Sequence, residues 1–320
     1  MDNTKWYADF IEILYKKYPK RALLTNFLMN LLEIEREAVY RRLRKDVLFP
    51  IDEIVKIAVA CNISLDELTC INDEQFTFQM RQINYIDPSK EEMDLLNYII
   101  QSISYLKNCT STEFMNICNK LPRQLLAGYP YLNQFYLFKW LYQYGNENES
   151  VPFSEVIVSK EKAKITQAYL NAIKLVPRTS FIFDRRIFEF LVNDIHYFCS
   201  IYLITEEEKK LIKKDLISLL NYLLEVANKG CYPETQNKVS LYISQINVDT
   251  NYSYTFTPEV NICYVHVFEK FEIFSLNSEM VSNFITWMQL KKKSSFQISE
   301  VDERSRIEFF MKQQNIIDSL

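Results

Sequence analysis

Glycine is the residue that this chain most conspicuously lacks. Only Gly128, Gly145 and Gly230 occur in 320 residues, whereas about 7% is usual. Phosphate-binding loops need several glycines close together, because the backbone must approach a phosphate without an intervening Cβ. Neither G-x-G-x-x-G nor G-x-x-x-x-G-K occurs, which argues against Rossmann dehydrogenases, P-loop NTPases and kinases. Each glycine follows a predicted helix, where a positive φ is expected.

Histidine is equally scarce, with only His196 and His266 present. A three-histidine zinc site is therefore impossible, and a histidine-based triad has two candidates. The seven cysteines are odd in number and form no C-x-x-C pair. We expect reduced, mostly buried thiols, no metal, no cofactor and no enzymatic activity.

Charge and hydropathy also exclude several classes of protein. The formal net charge is -4, so contact with nucleic acid would have to come from a local patch. The first residues lack a basic stretch followed by an apolar run, and no apolar run approaches ~18 residues. The expectation is a cytoplasmic protein with no membrane contact.

Apolar spacing predicts five short helices over residues 1–72. Leu24, Phe27, Leu28 and Leu31 fall at i, i+3, i+4 and i+7, for example, which is the spacing of a half-buried helix. The alternation of Phe76, Phe78 and Met80 then predicts a short strand within a linker at 73–88.

The strongest local signal is a basic helix in this first domain. Residues 36–45 carry five cations against Glu37, a net of +4, although residues 1–72 hold 11 basic and 11 acidic residues. This segment follows a predicted helix and a three-residue turn, which is the layout of a helix-turn-helix motif. A helix that enters the major groove lies between two rows of phosphates, so cationic flanks are expected.

The same residues resemble a known family. The segment 34–45 (IEREAVYRRLRK) is similar to the turn and recognition helix of the lambda-repressor-like (Cro/C1-type) regulators. Segments 51–58 (IDEIVKIA) and 62–68 (NISLDEL) resemble that family's fourth helix and the start of its fifth. The resemblance covers the N-terminal domain only and implies a five-helix domain that binds double-stranded DNA.

The resemblance also implies roles for individual side chains. The base-reading positions correspond to Arg36, Glu37, Tyr40 and Arg41. The positions that touch phosphate or sugar correspond to Arg21, Thr25, Arg44 and Lys45. Arg42 aligns with a position that is often apolar and receives no role.

The sequence departs from the family pattern at several positions. Glu33 and Lys45 stand where the family usually has the glycines that flank the recognition helix. Met29 replaces a small residue of the second helix, and Thr25 replaces a glutamine. These departures affect the two turns and the spacing of the helices.

Residues 89–320 are predicted to be rich in helices. Ser89 with Glu92, Thr110 with Glu113 and Thr205 with Glu208 each match a capping box. Period-two alternation at about 238–274 predicts a small antiparallel sheet of two to four strands. The predicted fold class is mainly α, with the helix-turn-helix domain followed by this larger helical domain.

Three further features carry two interpretations each. The aromatic segment Tyr129–Tyr144 indicates a fully buried helix, the alternative being an aromatic pocket or dimer face. His196 and Cys199 share one helix face and are expected in the core rather than at a metal. Lys291, Lys292 and Lys293 suit a helix C-terminus. The alternative is an anion site for an effector, formed with the neighbouring hydroxyls and cations Ser294, Ser295, Arg304 and Arg306.

Together these patterns predict a bacterial or phage-type transcriptional regulator. It would act as a homodimer, because one short recognition helix contacts few bases. We expect the dimer contact, and any site for a small-molecule or protein effector, in residues 89–320, since the pattern of the first domain leaves little apolar surface to spare. The alternative is a scaffold or toxin-neutralising protein that uses the first domain for protein contact.

Overall fold

The computed structural model describes residues 5–61, 63–65, 78–80, 89–106, 109–145, 151–267 and 271–320. The chain divides into two compact units, Met1–Thr77 and Phe78–Leu320. This division falls within the stretch 73–88 that the sequence predicts as a linker.

The first unit contains four helices in the residues described: α1 (Lys5–Lys17), α2 (Arg21–Leu32), α3 (Arg36–Leu43) and α4 (Ile51–Cys61). One buried apolar cluster joins them, since each helix turns a stripe of large side chains inward. Its members include Phe10, Leu14, Leu24, Leu28, Val39, Leu43, Ile54 and Ile57. Most of the fifth helix predicted from Ser64, and most of the strand predicted around Phe76, lie outside the described residues.

The outer side of α4 carries three large apolar side chains. Ile51, Val55 and Val59 are all exposed to solvent, while Ile54 and Ile57 face the core. The expectation that the first domain has little apolar surface to spare is therefore wrong, because α4 presents large side chains on both faces.

The second unit combines helices with a large sheet. Its helices are α5 (Ser89–Leu106), α6 (Arg123–Leu126), α7 (Pro130–Tyr144), α8 (Lys160–Ile173), α9 (Glu189–Ser200), α10 (Glu206–Lys229), α11 (Ser278–Lys291) and α12 (Glu303–Asp318). Its strands are β1 (Gln79–Met80), β2 (Glu113–Cys118), β3 (Arg178–Phe183), β4 (Lys238–Ser244), β5 (Tyr252–Phe256), β6 (Ile262–Val267), β7 (Phe271–Ser275) and β8 (Ser295–Gln297).

The eight strands form one mixed sheet in the order β1-β7-β6-β5-β2-β3-β4-β8. Strands β2, β3 and β4 are parallel, and the other pairs are antiparallel. The prediction of a small antiparallel sheet is thus wrong. The segment 238–274 does hold four strands, but β4 joins the parallel centre, and only β5, β6 and β7 form an antiparallel meander.

The error arises because the sequence pattern does not reveal strands β2 and β3. β2 begins at Glu113, the last residue of the helix-capping pattern that starts at Thr110, so the predicted helix start is also wrong. β3 is buried along five of its six residues and therefore lacks the alternation that identifies a half-exposed strand. Its parallel partners lie some 60 residues away in the sequence, where local patterns give no information.

Helices cover both faces of the sheet. Phe181, Phe183 and Leu241 point to one face and belong to the largest buried cluster, which includes residues of α7, α9, α10 and α12. On the opposite face, Met115 and Ile117 of β2 pack in a smaller cluster with Val281, Phe284 and Met288 of α11. The period-two alternation of β2 and β3 thus divides their side chains between two cores.

The caps of α10 agree with the sequence. The Thr205 hydroxyl accepts from the Glu208 backbone N–H, and the Glu208 carboxylate accepts from the Thr205 N–H. Gly230 ends the helix with φ 65°. Of the three glycines it alone has a positive φ. Gly145 has φ −71°, so the expected use of all three at such positions is confirmed only for Gly230.

Two predictions about buried helices need correction. Leu132, Phe135, Phe138 and Trp140 of α7 are buried, but its last turn is exposed at Leu141 and Tyr142, so the helix is not buried all round. On α9, Cys199 is half-buried and His196 is exposed. The assignment of His196 to the core is therefore wrong.

Candidate nucleic-acid interface

Helices α2 and α3 are joined by the three-residue turn Glu33-Ile34-Glu35. Glu33 ends α2 in the left-handed conformation, with φ 55° and ψ 41°. Glu35 precedes α3 in an extended conformation, with φ −70° and ψ 154°. Leu28, Val39 and Leu43 are buried together and hold the two helices against each other. A short helix, a three-residue turn and a second short helix thus follow one another, which is the layout that the sequence predicts.

The outer face of α3 carries the residues assigned to base reading. Val39 and Leu43 are buried, whereas the opposite side of the helix is exposed. The exposed side chains are Arg36, Glu37, Tyr40, Arg41 and, just after the helix, Arg44. Their spacing of i, i+1, i+4, i+5 and i+8 places them on one face. The structure therefore brings all four predicted base-reading residues together.

The ion pairs on this face are exposed and replaceable. An Arg44 Nη lies 3.2 Å from Glu37 Oε1, and Arg44 Nε lies 3.2 Å from Asp46 Oδ2. Arg36 donates to Asn26 Oδ1 of α2 at 3.3 Å. Exposed pairs of this kind contribute only ~0.2–1 kcal/mol. A phosphate or a base edge could replace these partners at little energetic cost.

Among the residues assigned to phosphate, the structure distinguishes Thr25 from the rest. Thr25 is 1% exposed, and its hydroxyl donates to the Arg21 carbonyl oxygen at 2.9 Å within α2. Arg21 is exposed, with its guanidinium 5.5 Å from the centre of the Tyr15 ring. Arg44 and Lys45 are also exposed. Thr25 is therefore part of the helix packing, while the three cations are accessible.

Both turns that flank α3 have left-handed backbone conformations. Glu33 has φ 55° and Lys45 has φ 69°. These are the two positions where the family usually has glycine. A side chain in this region costs about 1–2 kcal/mol, so the turns keep a conformation suited to glycine and bear the strain of a Cβ.

Arg42 has a structural role that the sequence pattern does not indicate. Its Nε lies 2.8 Å from Glu53 Oε2, and an Nη donates to Glu53 Oε1 at 3.0 Å. The guanidinium also lies 5.7 Å from the centre of the Phe49 ring. Arg42 thus ties α3 to α4. An arginine at an often apolar position, with an acid eleven residues later, is the signal that could have indicated this pair.

Tyr7 of α1 forms hydrogen bonds with the last turn of α3 and with the segment that follows it. Its hydroxyl donates to the Arg42 carbonyl oxygen at 3.1 Å and accepts from the Phe49 backbone N–H at 3.1 Å. Burial raises the pKa of this phenol, so it remains a neutral donor at physiological pH. The exit from α3 is therefore fixed by both α1 and α4.

In the second unit, several of the residues considered for an effector site already have partners within the unit. The Ser294 and Ser295 hydroxyls both donate to the Lys291 carbonyl oxygen and close the end of α11. Lys292 lies over the Tyr242 ring, where burial lowers its pKa. Arg304 pairs with Glu308 at 2.9 Å, and Arg306 donates to the Ile298 carbonyl oxygen.

A polar cluster lies at the amino end of β2. Glu113 Oε1 accepts from the Tyr254 hydroxyl at 2.6 Å and from Gln289 at 3.2 Å. Burial and the neighbouring carboxylate raise the Tyr254 pKa. Since each group has a partner within the cluster, we interpret it as a structural connection between β2, β5 and α11.

Comparison with protein-family models found no match, and searches of curated proteins and of solved structures found none either. Within the described part of the chain, no group of three metal-ligating side chains is positioned to hold an ion. None of the helices described has the length and apolarity needed to cross a bilayer.

Proposed function

We propose that this chain is a sequence-specific DNA-binding transcriptional regulator of the lambda-repressor-like type. The observation that carries the proposal is the outer face of α3, where Arg36, Tyr40, Arg41 and Arg44 are exposed together on a helix anchored by its opposite face. An eight-residue helix with this pattern fits the width of a major groove.

Each side chain on this face has a chemically suitable target. Arginine can donate two hydrogen bonds to guanine O6 and N7, which suits Arg36 and Arg41. Glu37 can accept from cytosine N4, and the Tyr40 ring can contact a thymine methyl. The exposed cations Arg21, Arg44 and Lys45 are the phosphate contacts of the proposal.

The second unit would provide regulation. In this account the protein acts in the cytoplasm as a homodimer, and the larger unit responds to a small-molecule or protein effector. The regulator needs neither a cofactor nor an enzymatic activity. Two copies are required because a single α3 can contact only a few base pairs, and paired half-sites multiply specificity.

The proposal can be tested by selection of binding sites. The full chain is incubated with a random duplex pool, bound fragments are recovered, and affinity is measured across a salt series. Nanomolar-range sites are expected. With three phosphate contacts per copy, the slope of log affinity against log salt is expected near −3 per copy. If no fragment is retained at low salt and a stoichiometric protein co-purifies instead, the protein-contact function is favoured.

A further inference from the structure

The outer face of α4 forms an apolar stripe, defined here as Ile51, Val55 and Val59. Their exposed fractions are 71%, 44% and 78%. At spacings of four residues, and with a rise of ~1.5 Å per residue, the three side chains line ~12 Å of one helix face. A continuous exposed apolar surface of this kind is a candidate for contact with another molecule.

Charged residues border one edge of this stripe. Asp52 and Lys56 each follow a stripe residue by one position, so both lie ~100° further around the helix, and both are exposed. Glu53 points to the opposite side, where it pairs with Arg42 of α3. The stripe is therefore separate from the surface that α4 uses to hold α3.

This arrangement of charge is complementary to itself. If two α4 helices pack antiparallel about a two-fold axis centred on Val55, that residue meets its own copy, and Ile51 meets Val59 of the second copy. Asp52 then lies one turn or less from Lys56 of the second copy, and Lys56 from Asp52. Such self-complementarity is the requirement for a symmetric dimer contact.

We propose that the stripe is the surface through which a second copy of this chain packs when two copies occupy adjacent half-sites on DNA. This inference rests on the proposed function and specifies how the two copies cooperate. The prediction of a dimer contact in residues 89–320 rests on a lack of apolar surface in the first domain, and the exposed stripe removes that basis.

The size of the stripe determines when the contact forms. A stable interface in free solution buries ~800 Å² on each partner, and three aliphatic side chains provide much less. Adjacent binding on one DNA molecule raises the effective concentration of the second copy to the millimolar range. The contact is therefore expected to be weak between free chains and effective on DNA.

The test compares affinities for a DNA duplex carrying one selected half-site with those for a duplex carrying two. The readout is the ratio of the second-copy affinity to the single-site affinity, measured with the full chain. The wild type should show a ratio of about 10 or more, given millimolar effective concentration. Val55→Glu places two carboxylates against each other at the two-fold axis and should lower the ratio to near 1. Val301→Glu, at a valine 77% exposed in the second unit, is the matched control and should keep the wild-type ratio.

Charge exchange provides the second arm. Asp52→Lys and Lys56→Asp should each lower the ratio several-fold, because like charges then face each other across the axis. The double exchange Asp52→Lys with Lys56→Asp restores opposite pairs and should recover the ratio. Single-site affinity shows in every case that the DNA-binding unit is folded.

The possible results separate the two proposals. Intact single-site binding with no cooperativity in the wild type overturns the stripe contact and leaves the proposed function standing. A ratio that neither Val55→Glu nor the single exchanges change also overturns it, and assigns the contact to the second unit or the stripe to another protein. If the wild type binds no DNA, the proposed function fails and the stripe contact fails with it.

Discussion

Arg42 of α3 and Glu53 of α4 form an ion pair with two close N–O contacts, at 2.8 and 3.0 Å, and side chains only 17% and 16% exposed. The pair fixes the helix that carries the proposed DNA-reading face to the helix that carries the apolar stripe. It lies on the inner side of α3, so its effect on DNA binding would be through the position of the helix.

Removal of either partner should destabilise the first unit. Arg42→Ala leaves Glu53 without its cation in a mostly buried position. Breaking a fully buried pair costs about 3–5 kcal/mol, and partial exposure lowers the expected loss here to about 2 kcal/mol. Hydrogen exchange of the α3 and α4 amides measures this loss locally, without interference from unfolding of the second unit.

A surface pair serves as the control for that experiment. Arg304 and Glu308 are 2.9 Å apart but 89% and 64% exposed, so Arg304→Ala should change stability very little. If Arg42→Ala and Arg304→Ala both change stability only slightly, the ion pair between α3 and α4 does not stabilise the first unit.

The two turns around α3 should accept glycine with a gain in stability. Glu33 and Lys45 both have φ in the left-handed region, which costs a side-chain-bearing residue about 1–2 kcal/mol. Part of the relieved strain energy is offset, because glycine gives the unfolded chain more conformational freedom. The net gain expected for Glu33→Gly or Lys45→Gly is about 0.5 kcal/mol each, measured by the same amide exchange. Glu33→Ala keeps the Cβ and should give no such gain, and a loss on substitution by glycine would show that these turns are unstrained.

Asp215 of α10 predicts a pH dependence in the second unit. Its carboxylate accepts backbone N–H groups of Tyr131 at 2.7 Å and Leu132 at 3.4 Å. Burial raises its pKa above the ordinary 3.8 and outweighs these two hydrogen bonds, which lower it. The folded state thus holds the proton to a higher pH than the unfolded state, so the contribution of Asp215 to stability falls as pH rises from 3.8 through the raised pKa.

Asp215→Asn removes this titration and keeps a hydrogen-bond acceptor. The wild-type free energy of unfolding minus that of the variant should decrease as pH rises through this window and become constant above it. Urea unfolding at several pH values, followed by a signal from α7 and α10, measures the difference. A difference that increases with pH would mean that the hydrogen bonds dominate over burial.

Substitutions of the proposed base-reading and phosphate-contacting residues at α3 should change DNA binding in different ways. Arg36→Ala should lose about 1–3 kcal/mol at the preferred site and relax preference at one base position. Arg44→Ala should weaken all sites alike and reduce the salt slope by about 1. Repeating the site selection with each variant distinguishes the two. If both variants change binding in the same way, the assignment of Arg36 to a base and Arg44 to a phosphate is contradicted.

Elements that are set by neighbouring residues can be predicted from the sequence, whereas elements that depend on pairing with distant residues cannot. The helices of the first unit follow from local apolar spacing, and the cap of α10 at Thr205 and Glu208 follows from a four-residue pattern. The strands β2 and β3 do not, because Glu113–Cys118 and Arg178–Phe183 are stabilised by each other across 65 residues. The residues that follow Thr110 therefore pair with a distant strand, although the local pattern matches a helix cap.

The candidate site shows the same limit. The spacing of Arg36, Glu37, Tyr40 and Arg41 is sufficient to place them on one helix face. The burial of Thr25 and the pairing of Arg42 with Glu53 depend on how neighbouring helices meet, which spacing does not specify. Glu33 and Lys45 adopt left-handed conformations although neither is glycine, since tertiary packing of α2 and α3 can hold a strained residue.

The central claim is that the outer face of α3 binds DNA, and one measurement tests it most directly. Fluorescence anisotropy with a labelled duplex carrying the selected site compares the wild type, Arg41→Ala with Arg44→Ala, and Arg304→Ala at one salt concentration. We expect the double variant to lose binding by at least about 100-fold, while the Arg304→Ala protein binds as the wild type does. Wild-type affinity in the double variant would contradict the assignment of α3 to DNA.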